Sequence, residues 1–217
     1  MVIFFDVDNT LLDNDQIVAD LRQHLAHVAG HKLSERYWAI FEDLRKEIGY
    51  ADYLGALQRF RIEDPYDAEF MKVSLFLLNY PFQTRLFPHA LEVIRHFDSI
   101  GTTAILSDGD VVFQPWKIIR SGIYDAVGGR VLIQIHKEQE LACAEERFPS
   151  ERYVLVDDKL RLLYECKQVW GDRLTTIFPK QGHYAHDAKN LADYPPADFT
   201  VDRIGDILQL DLSRIPR

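Results

Sequence analysis

Val2-Ile3-Phe4-Phe5-Asp6-Val7-Asp8-Asn9-Thr10-Leu11-Leu12-Asp13 begins as a strand and ends as a cluster of acids and turn residues. Val2 to Phe5 form a short continuous apolar run, the pattern of a strand buried on both faces. Asp6 and Asp8 follow at its carboxyl end, two residues apart, so at a strand's period of two their side chains leave on the same side. Two carboxylates aimed together beside a buried strand repel each other and lose hydration. A fold tolerates this when a cation or a proton sits between them. Asn9-Thr10 is turn chemistry, with side chains that hydrogen-bond the local backbone. The plain alternative is a strand-to-loop turn whose Asp and Asn serve only as caps, and the rest of the chain decides between the two.

Working outward, strands and helices alternate from Pro88 onward. Helix is expected over 88–97, a buried strand over 102–106 followed by Ser107-Asp108-Gly109-Asp110, and helix over 113–120 up to the turn Ser121-Gly122. A strand over 130–135 precedes a helix that Lys137 opens through Leu141 and Ala144. Tyr153 to Val156 is a further apolar strand, ending in Asp157-Asp158-Lys159. Helix over 160–170, a strand over 174–178, a loop over 179–198 and a last short helix over 204–208 complete the chain. Strands alternating with helices imply a parallel sheet with crossover helices on its faces. Between Asp13 and this region the period is helical. Ile17, Leu21, Leu25 and Val28 mark one helix ended near Gly30. Ser34 is placed as N-cap of a second, with Tyr37, Ile40, Phe41, Leu44 and Ile48 on one face. A third runs through Tyr53, Leu54, Leu57 and Phe60. Asp64-Pro65 opens a fourth, with Phe70, Val73, Leu77 and Met71, Leu75, Leu78 on two faces, and burial on most sides is expected. The fold class is therefore α/β: a Rossmann-like, doubly wound parallel sheet formed by residues 1–13 and 86–217, with an all-helical cap, residues 14–85, inserted after the first strand.

The chain has 217 residues, 47% of them hydrophobic and 27% charged, with a net charge of -9. This suits a soluble globular protein with one domain and an insertion. The acidic balance argues against general nucleic-acid binding. The first apolar run is broken too soon by Asp6 for a signal peptide or membrane span, so no membrane partner is expected. Cys143 and Cys166 have no metal or redox spacing and read as reduced thiols of a cytoplasmic protein. Oligomeric state is not legible.

Ligands of open parallel sheets bind outside the carboxyl ends of the strands, at the topological switch point. The expected strand ends carry Asp6 and Asp8, then Ser107, then Lys137 just beyond, then Asp157 and Asp158. Carboxylates, a hydroxyl and a lysine at one sheet edge suit a phosphate and a divalent cation. Phe5-Asp6-Val7-Asp8-Asn9-Thr10-Leu11-Leu12 resembles motif one of the haloacid dehalogenase-like (HAD) hydrolase superfamily. Ile105-Leu106-Ser107, Lys137 and Val154-Leu155-Val156-Asp157-Asp158 resemble its motifs two, three and four. The resemblance covers the core, and the cap is similar only in position and helical content.

The resemblance implies a Mg²⁺-dependent phosphohydrolase acting on a small phosphorylated metabolite. It assigns Asp6 as the nucleophile of an aspartyl-phosphate intermediate. Asp8 becomes the acid and base, and also lends its backbone carbonyl to the metal. Ser107 and the amide of Asp108 hold phosphate oxygens, and Lys137 is a point charge on phosphate and Asp6. Asp158 is aligned with the direct metal ligand and Asp157 with a supporting role; a second family pattern has another Asp four residues on, where Leu162 stands here. A metal-independent 2-haloacid dehalogenase and a phosphomutase of the same superfamily are the alternatives. Asp8, Asp157 and Asp158 count against the dehalogenase. A non-enzymatic binding module is a third class.

Other conspicuous residues read more plainly. The aromatics Tyr37, Phe41, Tyr53, Phe60 and Phe76 fall at helical spacing and read as core, while Trp38 sits off the stripe. Arg45, Lys46, Arg59 and Arg61 read as solvated faces. Asp108 and Asp110, extra carboxylates beside a phosphate, are expected to turn away or cap the next helix. His183, His186 and Asp187 resemble a metal cluster without a fourth partner and read as a solvated loop.

Overall fold

The structure is a computed structural model and describes residues 1–63 and 69–211. Six strands form one parallel sheet in the order β3-β2-β1-β4-β5-β6: β1 (Val2–Phe5), β2 (Thr102–Asp108), β3 (Val131–Gln134), β4 (Tyr153–Val156), β5 (Leu174–Pro179) and β6 (Phe199–Val201). The short sixth strand lies within the stretch expected to join a loop to the last helix. β1 is central and buried on both faces, as its apolar run requires. Ile3 and Phe5 enter one core and Val2 and Phe4 the other, which is the period-two alternation of a pleated strand. From β1 the chain passes to β2 on one side and later to β4 on the other. The crevice at this switch point opens above the end of β1.

The helices of the sheet region are α4 (Ala90–Asp98), α5 (Phe113–Ser121), α6 (Ile123–Ala126), α7 (Leu141–Arg147), α8 (Leu160–Trp170), α9 (Gly182–Ala185) and α10 (Ala188–Asp193). A 3₁₀ turn over Lys137–Gln139 separates Lys137 from α7, so this lysine stands before the helix rather than opening it. A last 3₁₀ stretch spans Ile204–Gln209. The expected loop over 179–198 contains α9 and α10, elements too short for a periodicity count to detect.

Between β1 and α4 stand the inserted helices α1 (Asn14–Ile48), α2 (Tyr53–Glu63) and α3 (Glu69–Leu78). Asp13 caps α1 by accepting from the Gln16 amide. The two expected helices are joined through a kink at Gly30, whose φ of 78° and ψ of 164° are non-helical and cost a glycine little. Ser34 is not a cap: it lies buried inside the second half of α1. The Asp64-Pro65 helix start lies outside the described residues. Along α3, Val73 and Leu77 are buried, but Met71 and Leu75 are exposed. That helix buries one face, not most of its circumference.

The insertion and one face of the sheet share a continuous apolar cluster that runs from Ile3 and Phe5 through Leu21, Phe41 and Tyr53. Aromatic rings carry the contact: Phe113 of α5 meets Tyr53 and Phe82 edge-on, each at 5.7 Å between centroids. The helical-spacing aromatics are therefore core, as their period predicts. Phe76 is the partial exception, half-buried and stacked on His24 at 4.2 Å.

Candidate active site

The end of β1 sets the floor of the site. Phe5 pairs in register with Val156 of β4, so one residue further Asp6 and Asp157 stand side by side. Lys137 reaches the pair from beyond the end of β3, the edge strand on the far side of β2, with Nζ 2.6 Å from Asp6 Oδ1 and 2.5 Å from Asp157 Oδ2. All three side chains are buried. Burial works against the Lys137 ammonium, but Asp157, Asp6 and Asp108 outweigh it and hold its pKa well above that of an ordinary lysine. Lys137 is thus a fixed cation between two carboxylates, not a surface lysine.

Asp6, Asp157 and Asp158 bring carboxylate oxygens within 4.8 Å of one another, the one group of this kind among the described residues. Both oxygens of Asp157 face a partner: Oδ1 accepts from the Lys159 amide at 2.8 Å, and Oδ2 is ion-paired with Lys137 at 2.5 Å without hydrogen-bond geometry. Asp158 differs. It is buried, yet neither of its carboxylate oxygens has a hydrogen-bond partner among the described residues. Burial pushes its carboxyl well above the usual range, and the charges of Asp157 and Asp6 push the same way. A buried carboxylate with two free oxygens beside two others fits a hard divalent cation with oxygen ligands.

Thr10 ties motif one to motif four. Its hydroxyl donates to Asp6 Oδ2 at 3.3 Å and accepts from the Asp158 amide at 3.0 Å. Asn9 takes a left-handed φ of 61° and clasps Asp15 at both ends of its amide, at 2.9 and 3.0 Å. Gly182 packs so closely here that a Cβ on it would lie 2.4 Å from that of Asn9.

Ser107 is buried at the end of β2 and accepts from Gln114 Nε2 at 2.9 Å. The Asp108 carboxylate turns aside to accept the Lys137 amide at 2.8 Å, and burial raises its pKa. Asp110 caps α5 through the amides of Val112 and Phe113, at 2.8 and 2.6 Å. Both extra carboxylates therefore have local work: one turns aside and the other caps the next helix, the two outcomes expected of them.

Asp8 points elsewhere than Asp6. Its carboxylate is held at both oxygens by Lys117 Nζ, at 2.6 and 2.8 Å, and the same ammonium reaches Asn14 Oδ1 at 3.2 Å. The Asp8 side chain is therefore outside the three-carboxylate group. Lys117 was not foreseen, although the sequence carries a signal for it. Phe113, Gln114, Lys117, Ile118 and Ser121 are the buried residues of α5, spaced at the helical period. A lysine on a buried stripe requires a partner.

Above this floor a cavity of about 840 Å³ separates the sheet edge from α1. Asp8, Lys117 and Lys159 line it from the core side, and Arg22, Trp38 and Arg45 from α1. Asp6, Asp157, Asp158 and Lys137 do not line it and lie beneath. Lys159 is half-buried, its Nζ 5.1 Å from the centre of the Tyr184 ring. Burial opposes its charge, but Asp6, Asp158 and Asp157 raise its pKa on balance. Of the arginines and lysines of the insertion read as solvated, Arg59 and Lys46 pair with Glu47 and Asp43 at the surface. Arg45 corrects that reading, because it donates to the Tyr184 hydroxyl across the cavity mouth. The histidine loop is not a metal group among the described residues. His186 and Asp187 are exposed, Asp187 caps α10, and His183 contacts Asp15 through Nδ1 at 2.6 Å.

Comparison with known proteins agrees with this arrangement. A crystal structure of a haloacid dehalogenase-like hydrolase from Burkholderia xenovorans LB400 is 56% identical, with a TM-score of 0.94 over 100% of this chain and 98% of that one. Two more distant structures share the fold. One is the magnesium-bound HAD-hydrolase YfnB of Bacillus subtilis, 16% identical with a TM-score of 0.65 over 96% of each chain. The other is L-2-haloacid dehalogenase of Xanthobacter autotrophicus with chloropropionic acid covalently bound, 17% identical with a TM-score of 0.62 over 98% of each chain. No curated protein gives a significant match. A family model described as haloacid dehalogenase-like hydrolase matches residues 1–161, a stretch that contains every strand end carrying the buried carboxylates and Lys137. The chain belongs to the haloacid dehalogenase-like hydrolases.

Proposed function

We propose that this hydrolase is a divalent-cation-dependent phosphohydrolase acting on a small phosphorylated compound through an aspartyl-phosphate. The observation that carries the reading is Asp158, a buried carboxylate with both oxygens unpartnered beside Asp6 and Asp157. A dehalogenase that needs no metal does not require a cation at such a site. Asp158 and Asp6 would hold Mg²⁺ directly, with Asp157 supporting and the Asp8 carbonyl as a further donor. Bound there, the ion would neutralise phosphate and carboxylate charge together and orient the attack.

The chain's own groups supply the rest. Asp6 Oδ attacks phosphorus, and the bond to the leaving alcohol breaks. Lys137, already 2.6 Å from Asp6, fixes the nucleophile's orientation and offers positive charge to the transferring phosphoryl. The Ser107 hydroxyl and the Asp108 amide hold phosphate oxygens. Asp8 lines the cavity where the leaving oxygen would depart, gives that oxygen a proton, and then takes one from the water that attacks the aspartyl-phosphate. Lys117 positions Asp8; its ammonium contacts both carboxylate oxygens, so one of them must part from it to carry the proton of the first step. Residues 14–85 act as a cap that limits access to the site, and residues 1–13 with 86–217 form the catalytic core. The two free cysteines, one of them buried with its thiol pushed up to about 12, fit a cytoplasmic setting.

The test is phosphate release from a panel of phosphorylated metabolites, with Mg²⁺ and with a chelator. Turnover should require the metal, and Asp6→Asn should lower it by at least about 10³-fold. Halide release from a 2-haloacid in chelator, with no phosphate release from any ester, would overturn the proposal.

A further inference from the structure

We infer that the α1 side of the cavity is a second recognition site, for a carboxylate or similar anion at the far end of the phosphorylated substrate. This inference rests on the phosphohydrolase reading for the position of the phosphoryl group. It adds what the remainder of the substrate must carry.

Three observations converge. The cavity, at about 840 Å³, is in the range that holds a drug-sized ligand, far more than a phosphoryl group occupies. Most of a substrate therefore lies against the cavity wall, and α1 contributes Arg22 and Trp38 to that wall. Second, Trp38 is only 6% exposed, and its indole N–H has no hydrogen-bond acceptor among the described residues. A buried donor left unpaired costs stability, and a ligand acceptor would remove that cost. The Arg22 guanidinium lies over the ring, 4.1 Å from its centre, and Tyr37 and Phe41 stand nearly perpendicular to it, each at 5.3 Å between centroids. What Trp38 has left to offer is the donor at its edge, not a stacking surface.

Third, among the described residues the lysines and arginines that line the cavity have partners, except one. Lys117 is answered by Asp8, Lys159 by the charges of Asp6, Asp158 and Asp157, Arg45 by Tyr184 and Glu42, and Arg161 by Glu165. Arg22 is exposed on α1, has no carboxylate within ion-pair distance among the described residues, and lays its guanidinium over the Trp38 ring. An arginine fork held against a ring beside an unpaired N–H is a donor set for a planar oxyanion, with the ring limiting the rotamers that binding would otherwise have to freeze.

The experiment compares two probes of matched length, n-butyl phosphate and 4-phosphooxybutyrate. Their binding to Asp6→Asn protein with Mg²⁺ is measured by calorimetry and their hydrolysis with wild-type enzyme. The carboxylated probe should bind about tenfold or more tightly. Arg22→Gln, made in the Asp6→Asn background, should bring the ratio of the two affinities close to one, and Arg22→Lys should restore part of it. Trp38→Phe, which removes the donor but keeps a ring, should lower the ratio by a smaller factor. Equal binding of the two probes, or full discrimination surviving in Arg22→Gln, would overturn the inference. The two readings fail separately. Equal binding with metal-dependent hydrolysis of both probes removes the anion site and leaves the phosphohydrolase. Discrimination in binding with no hydrolysis of either probe removes the phosphohydrolase and leaves the anion site.

Discussion

The floor of the site and its wall are built in opposite ways. The floor is made of strand ends: Asp6 follows β1 directly, Ser107 is the penultimate residue of β2, Asp157 and Asp158 follow β4, and Lys137 follows β3 by three residues. Parallel pairing in fixed register brings these positions together, so their meeting is decided as soon as the strands pair. The wall is made of helix faces from remote parts of the chain. Lys117 meets Asp8 across 109 positions, and Arg45 meets Tyr184 across 139. The floor is buried and dense in charge, while the wall borders the cavity. Chemistry fixed by topology and specificity fixed by packing should therefore respond differently to mutation.

The largest effect is expected at the floor. Lys137→Met removes a buried cation and leaves Asp6 and Asp157 facing each other uncompensated. Breaking such a pair costs about 3–5 kcal/mol, so urea denaturation should show a loss of that size together with loss of turnover. A variant as stable as wild type would mean that the floor does not depend on this charge.

Next is the junction of floor and wall. If Lys117 holds Asp8 for proton transfer, Lys117→Met should slow alkyl phosphates by about 10²-fold or more. It should slow an aryl phosphate with an acidic leaving group far less, because that group departs without a proton. Equal losses on both would reduce Lys117 to a structural role.

Asp158 gives a prediction in pH. Its carboxyl titrates well above the ordinary value when folded, because burial disfavours the charge. As pH rises, the unfolded chain ionises first, so stability falls from the ordinary carboxylate pKa upward, and below that pKa no penalty exists. Metal-free Asp158→Asn should therefore melt higher than wild type at neutral pH, with the difference fading near pH ~4. Mg²⁺ should raise the melting temperature of wild type and not that of the variant. A metal-free variant that melts lower would contradict the strained-carboxylate account.

The smallest effect belongs to the wall. Arg45→Gln loses a contact with the Tyr184 hydroxyl at the cavity mouth and should raise KM by less than about tenfold with kcat nearly unchanged. A collapse in kcat would move Arg45 from wall to floor.

The same contrast explains what the sequence reveals. Asp6-x-Asp8, Ser107, Lys137 and Asp157-Asp158 are legible because each sits where an apolar run stops, and strand periodicity with the rule for parallel sheets places all such stops at one edge. The division of labour between Asp157 and Asp158 is not legible. It depends on the Lys159 amide and Lys137 saturating the first and leaving the second free, which is a matter of loop geometry. Arg45 has the spacing of a surface arginine, and only the fold of the α9 loop brings Tyr184 to it. Lys117 stands between these cases, detectable as a cation on a buried helical stripe but with Asp8 unidentifiable as its partner. Ser34 and the second face of α3 show the limit of local signals: a good capping residue and an apolar face were both overruled by packing.

The most direct test of the central claim is to trap the intermediate. Enzyme quenched during turnover of a phosphate ester with Mg²⁺ is treated with borohydride, which reduces an acyl phosphate to an alcohol, and the peptides are sequenced by mass spectrometry. Homoserine should replace aspartate at position 6, and no such product should form in chelator. Turnover with Asp6 recovered unmodified, or modification at Asp8 or Asp158 instead, would contradict it.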